Sequence, residues 1–156
     1  MDAFEKIEQE LFDDGVTVSR DKLPKCIGFY TTLYDFIYLN VDKDLRGAKA
    51  LSVLCHEMGH YQAGLIGSAG KNEYRADKWA ASCLVRPWDI IRAVQNGCRN
   101  FYELSRELNV DEKYLRRCLS ILSEIYGESY EAGDDVLSFN PLTVRNRMSG
   151  QVWPEV

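Results

Sequence analysis

The segment "LSVLCHEMGHYQAG", residues 51 to 64, holds both histidines of the chain, His56 and His60, four positions apart with Glu57 between them. On a helix, positions i and i+4 differ by about 40° around the axis and roughly 6 Å along it, so the two imidazoles project side by side and can reach one ion. Zinc suits such a pair. It takes neutral imidazole nitrogens in a tetrahedral shell, and a catalytic zinc has three protein ligands and keeps a fourth position for water. The plainer alternative is a surface helix with a His/Glu stripe. A third ligand would separate the two readings.

That ligand cannot be a third histidine, because the chain has only two. This excludes the HExxHxxGxxH arrangement, and Ala63 stands where that arrangement has glycine. A carboxylate is therefore expected. In "NEYRADKWAASCLV", residues 72 to 85, Glu73 and Asp77 lie one helical turn apart, in line with Ala76 and Ala80. Glu73 is the expected third ligand of a single zinc ion. Asp77 is the expected acceptor for the outer N–H of a ligating histidine, His56, which would fix its tautomer and raise its basicity. Ala76 and Ala80 leave room for two helices to approach closely. Gly59 suits the same demand, although glycine inside a helix costs about 1 kcal/mol relative to alanine.

Glu57 points about 100° away from His56 around the helix, off the ligand face but within reach of a water at the fourth position. With zinc lowering the pKa of that water to about 7, Glu57 is the expected general base, and it can then protonate a leaving amine. Cys55 also points about 100° from His56 and reads as a small buried thiol.

HExxH followed by ExxxD is the gluzincin arrangement. The fuller text "LCHEMGHYQAG…EYRADKWAASCLVRP" resembles the ImmA/IrrE family of small metallopeptidases common in mobile genetic elements. The resemblance is close over residues 50 to 87. Through a leading helix and the stretches "GVTV", "IGFY" and "IYLNV" it extends more weakly over residues 4 to 110. By position, His56, His60 and Glu73 match the family's metal ligands and Glu57 its catalytic glutamate. The resemblance implies a zinc-dependent endopeptidase that cuts, or helps inactivate, a helix-turn-helix repressor encoded beside it in a phage or integrative element. Some relatives act instead as stress regulators.

The elements that must position these residues follow from periodicity. Phe4, Ile7, Leu11 and Phe12 recur at helical spacing between a capping Asp2 and a terminating Gly15. "VTVS" and "CIGFYTTLYDFIYLNV" predict short antiparallel strands, with Phe29, Tyr30, Phe36 and Tyr38 as core residues of a half-buried sheet. The edge of that sheet could pair with an extended substrate. A helix is predicted from Ala48 to Gln62, and after the loop "AGLIGSAG" another runs through Ala76, Trp79, Ala80, Cys83 and Leu84, ending before Pro87. "PWDIIRAVQNG", "NFYELSREL" and "DEKYLRRCLSILSEIYG" predict three short helices, with Asn100 and Asp111 as N-caps and Gly97 and Gly127 as stops.

The expected fold class is α+β and mostly helical, with the HExxH and ExxxD helices packed with a small antiparallel sheet. Residues 1–97 are expected to form the metallopeptidase core and 98–127 a helical extension of helix-turn-helix appearance packed on it. Residues 128–156 are expected to form an extended tail. Tyr30, Tyr61, Tyr74 and Arg75 are all candidate oxyanion donors.

Composition narrows the function classes. The 156 residues, 46% of them apolar, suffice for one compact core without staples. A net charge of −5 argues against a protein that holds nucleic acid by neutralising phosphates. In the helix-turn-helix-like segment, Arg99, Arg106, Lys113, Arg116 and Arg117 are balanced by Glu103, Glu107, Asp111, Glu112 and Glu124. A structural or protein-docking module is expected there rather than a DNA reader. The five cysteines, Cys26, Cys55, Cys83, Cys98 and Cys118, form no CxxC pair and read as free thiols of a reducing cytoplasm. No stretch resembles a secretory signal or a membrane span. Two rival readings remain: a zinc-containing anti-repressor or regulator that binds its partner without cleaving it, and a DNA-binding regulator.

Overall fold

The computed structural model describes residues 1–64 and 70–154. They form an α+β structure in the order α1 (Ala3–Asp13), β1 (Thr17–Asp21), β2 (Gly28–Thr31), β3 (Phe36–Asn40), α2 (Gly47–Gln62), α3 (Gly70–Leu84), α4 (Pro87–Gln95), α5 (Phe101–Glu107), α6 (Glu112–Tyr126), β4 (Ser129–Ala132), β5 (Asp135–Phe139), β6 (Leu142–Asn146) and β7 (Val152–Trp153). The chain divides into two compact units, Met1–Ala80 and Ala81–Val156. Most of the loop expected between the two motif helices, residues 65–69, lies outside the described residues. Among the described residues no helix is long and apolar enough to cross a membrane.

In the first unit, α1 starts with a reciprocal cap. The Asp2 carboxylate accepts from the Glu5 N–H at 2.8 Å, and the Glu5 carboxylate accepts from the Asp2 N–H at 2.7 Å. Leu11 is fully buried, whereas Phe12, expected beside it in the core, is 67% exposed. One residue further along a helix turns the side chain about 100°, here off the buried face.

The sheet of this unit has the order β1-β3-β2. It is mixed rather than antiparallel throughout: β3 runs antiparallel to β2 but parallel to β1. Residues 22–27 carry the chain past the position β3 will take, so the β2–β3 hairpin returns its second strand beside β1 in the same direction. That excursion is pinned by buried Asn40, whose Nδ2 donates to the carbonyls of Leu23 and Cys26, both at 2.7 Å. These bonds satisfy backbone groups that no strand partner serves. As the central strand, β3 buries Ile37 and Leu39 completely, and with Leu11, Val16, Leu54 and Met58 they form the core. Tyr30 packs against that core, but Phe29, expected there too, is 50% exposed. Phe29 pairs across the sheet with Tyr38, which stacks on Phe36 at 5.6 Å on the face opposite Ile37 and Leu39.

The second unit replaces the expected division at residue 97 and the expected extended tail. Pro87 opens α4 at a position where its missing N–H costs no hydrogen bond. Asn100 caps α5 through the Glu103 N–H at 2.9 Å, and Asp111 caps α6 through the Tyr114 N–H at 2.8 Å. Gly127 ends α6 at a φ of 85°, a conformation glycine adopts without strain. Residues 129–153, expected to be extended, form an antiparallel sheet in the order β4-β5-β6-β7. Its inward side chains, Leu137, Phe139, Val144 and Trp153, join Ile90, Ile91, Leu104, Leu115 and Leu122 in one core. The apolar faces of α4, α5 and α6 need a cover, and the alternation along β5 supplies it.

Candidate metal centre

The candidate site lies in the first unit, on α2 and the start of α3. In α2, Leu51, Leu54, Cys55 and Met58 are buried, so the helix is anchored along that face. The partner segment comes very near at Gly59. A Cβ at that position would lie 2.9 Å from the Ala76 carbonyl oxygen and 3.0 Å from its Cα. Glycine on α2 and fully buried Ala76 on α3 permit this approach, and longer side chains would hold the helices apart.

The approach brings His56, His60 and Glu73 together. One ligand atom from each lies within 4.8 Å of the others, a group that could hold a metal ion. His56 Nε2 stands 3.0 Å from Glu73 Oε2 and 3.2 Å from His60 Nε2, and His60 Nε2 stands 3.2 Å from Glu73 Oε1. His56 Nδ1 lies 2.9 Å from Asp77 Oδ1. An ionised carboxylate only accepts, so His56 Nδ1 carries the hydrogen, and in the neutral ring Nε2 carries the lone pair.

This arrangement fits a cation. A neutral His60 can donate its Nε2 hydrogen to a neighbour, but the His56 Nε2 lone pair still faces the Glu73 carboxylate at 3.0 Å, a repulsive pair unless positive charge lies between them. A proton on His56 can supply that charge, and so can a metal ion. Burial, the largest influence on His56, works against its charged form. The hydrogen bond to Asp77 and the charges of Glu57, Asp77 and Glu73 outweigh it, and the pKa is raised. The donor set, two imidazoles and one carboxylate, is one that zinc accepts in catalytic sites. The Glu73 side chain is 40% exposed while that of His60 is 8% exposed, so the cluster is open to solvent on the Glu73 side.

Glu57 is buried and turned toward the sheet. The backbone N–H of Tyr30, on edge strand β2, favours its charged form. Burial pushes its carboxyl up to about 7, His56 pulls it back, Glu73 raises it further, and the Tyr30 N–H lowers it. A divalent cation at the three ligands would draw it down. Gly28 makes this placement possible, because a Cβ there would lie 2.7 Å from Val53 Cγ1 and 3.0 Å from Glu57 Oε1.

Gly28 and the Tyr30 N–H are the residues that sequence reasoning missed. Tyr30 was a candidate through its hydroxyl, yet that group donates to Asp35 Oδ1 at 3.1 Å, and the tyrosine pKa is pushed up to about 12 by burial and Asp35. Tyr61 stacks edge-on against Tyr30 at 5.8 Å, Tyr74 carries the Lys78 ammonium over its ring, and Arg75 is exposed. Cys55 is buried, as a small core thiol. Cys26 lies close enough to Glu57 for that charge, after burial, to push its thiol pKa up, which keeps it protonated and a poor ligand. No protein-family model matches this chain, and comparison with curated proteins finds no match.

Proposed function

We propose that this chain is a zinc-dependent metalloendopeptidase of the ImmA/IrrE type that hydrolyses a peptide bond in a protein partner. The observation that carries the reading is the convergence of His56, His60 and Glu73 on one point, with the Glu57 carboxylate one residue away and free of the ligand set. When bound, zinc supplies Lewis acidity, acidifying a water and polarising a peptide carbonyl. His56, His60 and Glu73 would hold the ion, and Asp77 keeps the hydrogen on His56 Nδ1 so that Nε2 stays a donor of electrons. Glu57, buried beside the ligands but outside their set, takes a proton and passes it to the leaving amine.

Strand β2, at the edge of its sheet and packed against Glu57 at Gly28, supports an extended substrate lying along that edge. The partner we propose is a helix-turn-helix repressor of a phage or mobile element, met in the cytoplasm. Incubation of the zinc-loaded protein with that repressor should yield fragments. Glu57→Ala should abolish cleavage with zinc still bound, and His60→Ala should lose both. If Glu57→Ala inactivates the repressor as well as the parent does, the protein sequesters its partner and the peptidase reading fails.

A further inference from the structure

The second unit contains a cavity of about 630 Å³ between the end of α4 and the sheet β5-β6-β7, within the range of small-molecule sites. Its apolar wall includes Val94, Val144 and Trp153. The Trp153 indole is fixed by donating its N–H to the Cys98 carbonyl at 2.6 Å. Into this wall is set one carboxylate, Asp135, only 9% exposed. It accepts from Gln95 Nε2 at 2.7 Å and from Asn146 Nδ2 at 3.0 Å.

Both partners are neutral amides, so they orient the charge without cancelling it. An ionised carboxylate has about four acceptor positions, and two remain. Arg99 also borders the cavity, but its guanidinium is paired with Glu103 at 3.0 Å. The result is a recess with apolar walls and one largely buried carboxylate that two neutral amides orient. A countercharge entering the recess would meet it.

We propose that this cavity is a binding site for a small organic cation, an amidinium, guanidinium or primary ammonium on a flat apolar body. The cationic group meets the open acceptor positions of Asp135, and the apolar body lies among the valines beside the Trp153 indole, where a cation gains further attraction. The cavity is far larger than a single charged side chain needs, which favours a free molecule over the arginine or lysine of a protein. The site is independent of the metal centre and of its proposed chemistry.

The test compares three isosteres, benzamidinium, benzamide and benzoate, titrated into the intact chain and followed by the Trp153 indole N–H resonance. Benzamidinium should shift that resonance saturably, and benzamide and benzoate should bind about tenfold more weakly or worse, the weight of a hydrogen bond to a charged group. Asp135→Asn should cost benzamidinium the same factor. Ser149→Trp changes an exposed residue of the cavity rim, leaves Asp135 and its amides in place, and should block binding even if the first variant does not fold. Equal responses to the three compounds, or no response to any at millimolar concentration, would overturn the proposal and leave Asp135 as a brace between α4 and the β5–β6 hairpin. An arginine-bearing peptide that displaces benzamidinium would overturn it in favour of a protein partner.

Discussion

The Glu57 carboxylate lies on the backbone of Gly28, so closely that a methyl group there would meet Glu57 Oε1 at 3.0 Å, Glu57 Cγ at 3.1 Å and Val53 Cγ1 at 2.7 Å. A strand residue without a side chain thus gives the proposed base its seat, while the Tyr30 N–H two positions on offsets part of the cost of burying its charge.

Gly28→Ala should therefore displace Glu57 before it disturbs the ligands, because the clash falls on Glu57 and Val53 rather than on His56, His60 or Glu73. Overpacking of this size costs about 1–3 kcal/mol, readable in urea unfolding. Displacing a catalytic group by about 1 Å costs about 10²-fold in rate. Zinc stoichiometry should stay at the parental value. A Gly28→Ala protein with parental stability and turnover would remove Gly28 from the account.

Asp77 would act on a bound ion through His56, whose Nδ1 lies 2.9 Å from its carboxylate. Asp77→Ala should weaken zinc binding by about 10–100-fold in competition with a chromophoric chelator. Asp77→Asn keeps an acceptor but not the charge, and should fall between the two. Equal affinities in all three proteins would mean that the ring of His56 is held by packing alone.

The clustering of His56, His60 and Glu73 was legible because helical spacing sets its parts: His56 with His60 on one helix, and Glu73 with its neighbour Asp77 on the other, each one turn apart. The caps Asp2, Asn100 and Asp111 were legible for a similar reason, since each bonds to an N–H three residues ahead. What escaped depends on distant partners. Nothing near Gly28 indicates that Glu57 will press on it. The parallel pairing of β1 with β3 depends on Asn40 anchoring residues 23 and 26, whereas alternation marks strands without ordering them. In β5 the inward row is Asp135, Leu137 and Phe139, and the charged first member breaks the apolar alternation that would have marked a strand.

Gly59 tests whether close helix approach is required. Alanine there gains about 1 kcal/mol of helix propensity. Its Cβ, however, would meet the backbone of Ala76 at 2.9–3.0 Å, and backbone cannot rotate away. Gly59→Ala should lose stability on balance, by about 1–3 kcal/mol, and should bind zinc more weakly as Glu73 is pushed from the histidines. Gly70→Ala, at the start of α3 with nothing within 4 Å of the new carbon, serves as the control and should change neither. Thermal melts with and without zinc would show it.

The raised Glu57 carboxyl makes the stability of the metal-free protein depend on pH in a definite direction. Its ordinary value of 4.5 rises to about 7 in the fold, chiefly through burial, so the folded state binds the proton more tightly than the unfolded chain. Where the folded state holds more protons, stability falls as pH rises. This contribution is therefore fully present below about 4.5, is lost between there and about 7, and stays lost at higher pH. It amounts to on the order of 3 kcal/mol. Urea unfolding in the presence of a chelator should show the parent weakening over this window relative to Glu57→Gln, which has no proton to lose. Zinc should shrink the difference, because a divalent cation stabilises the ionised carboxylate that burial disfavours. Parallel pH profiles for parent and variant would mean that Glu57 is solvated in the fold and has no raised proton affinity to use.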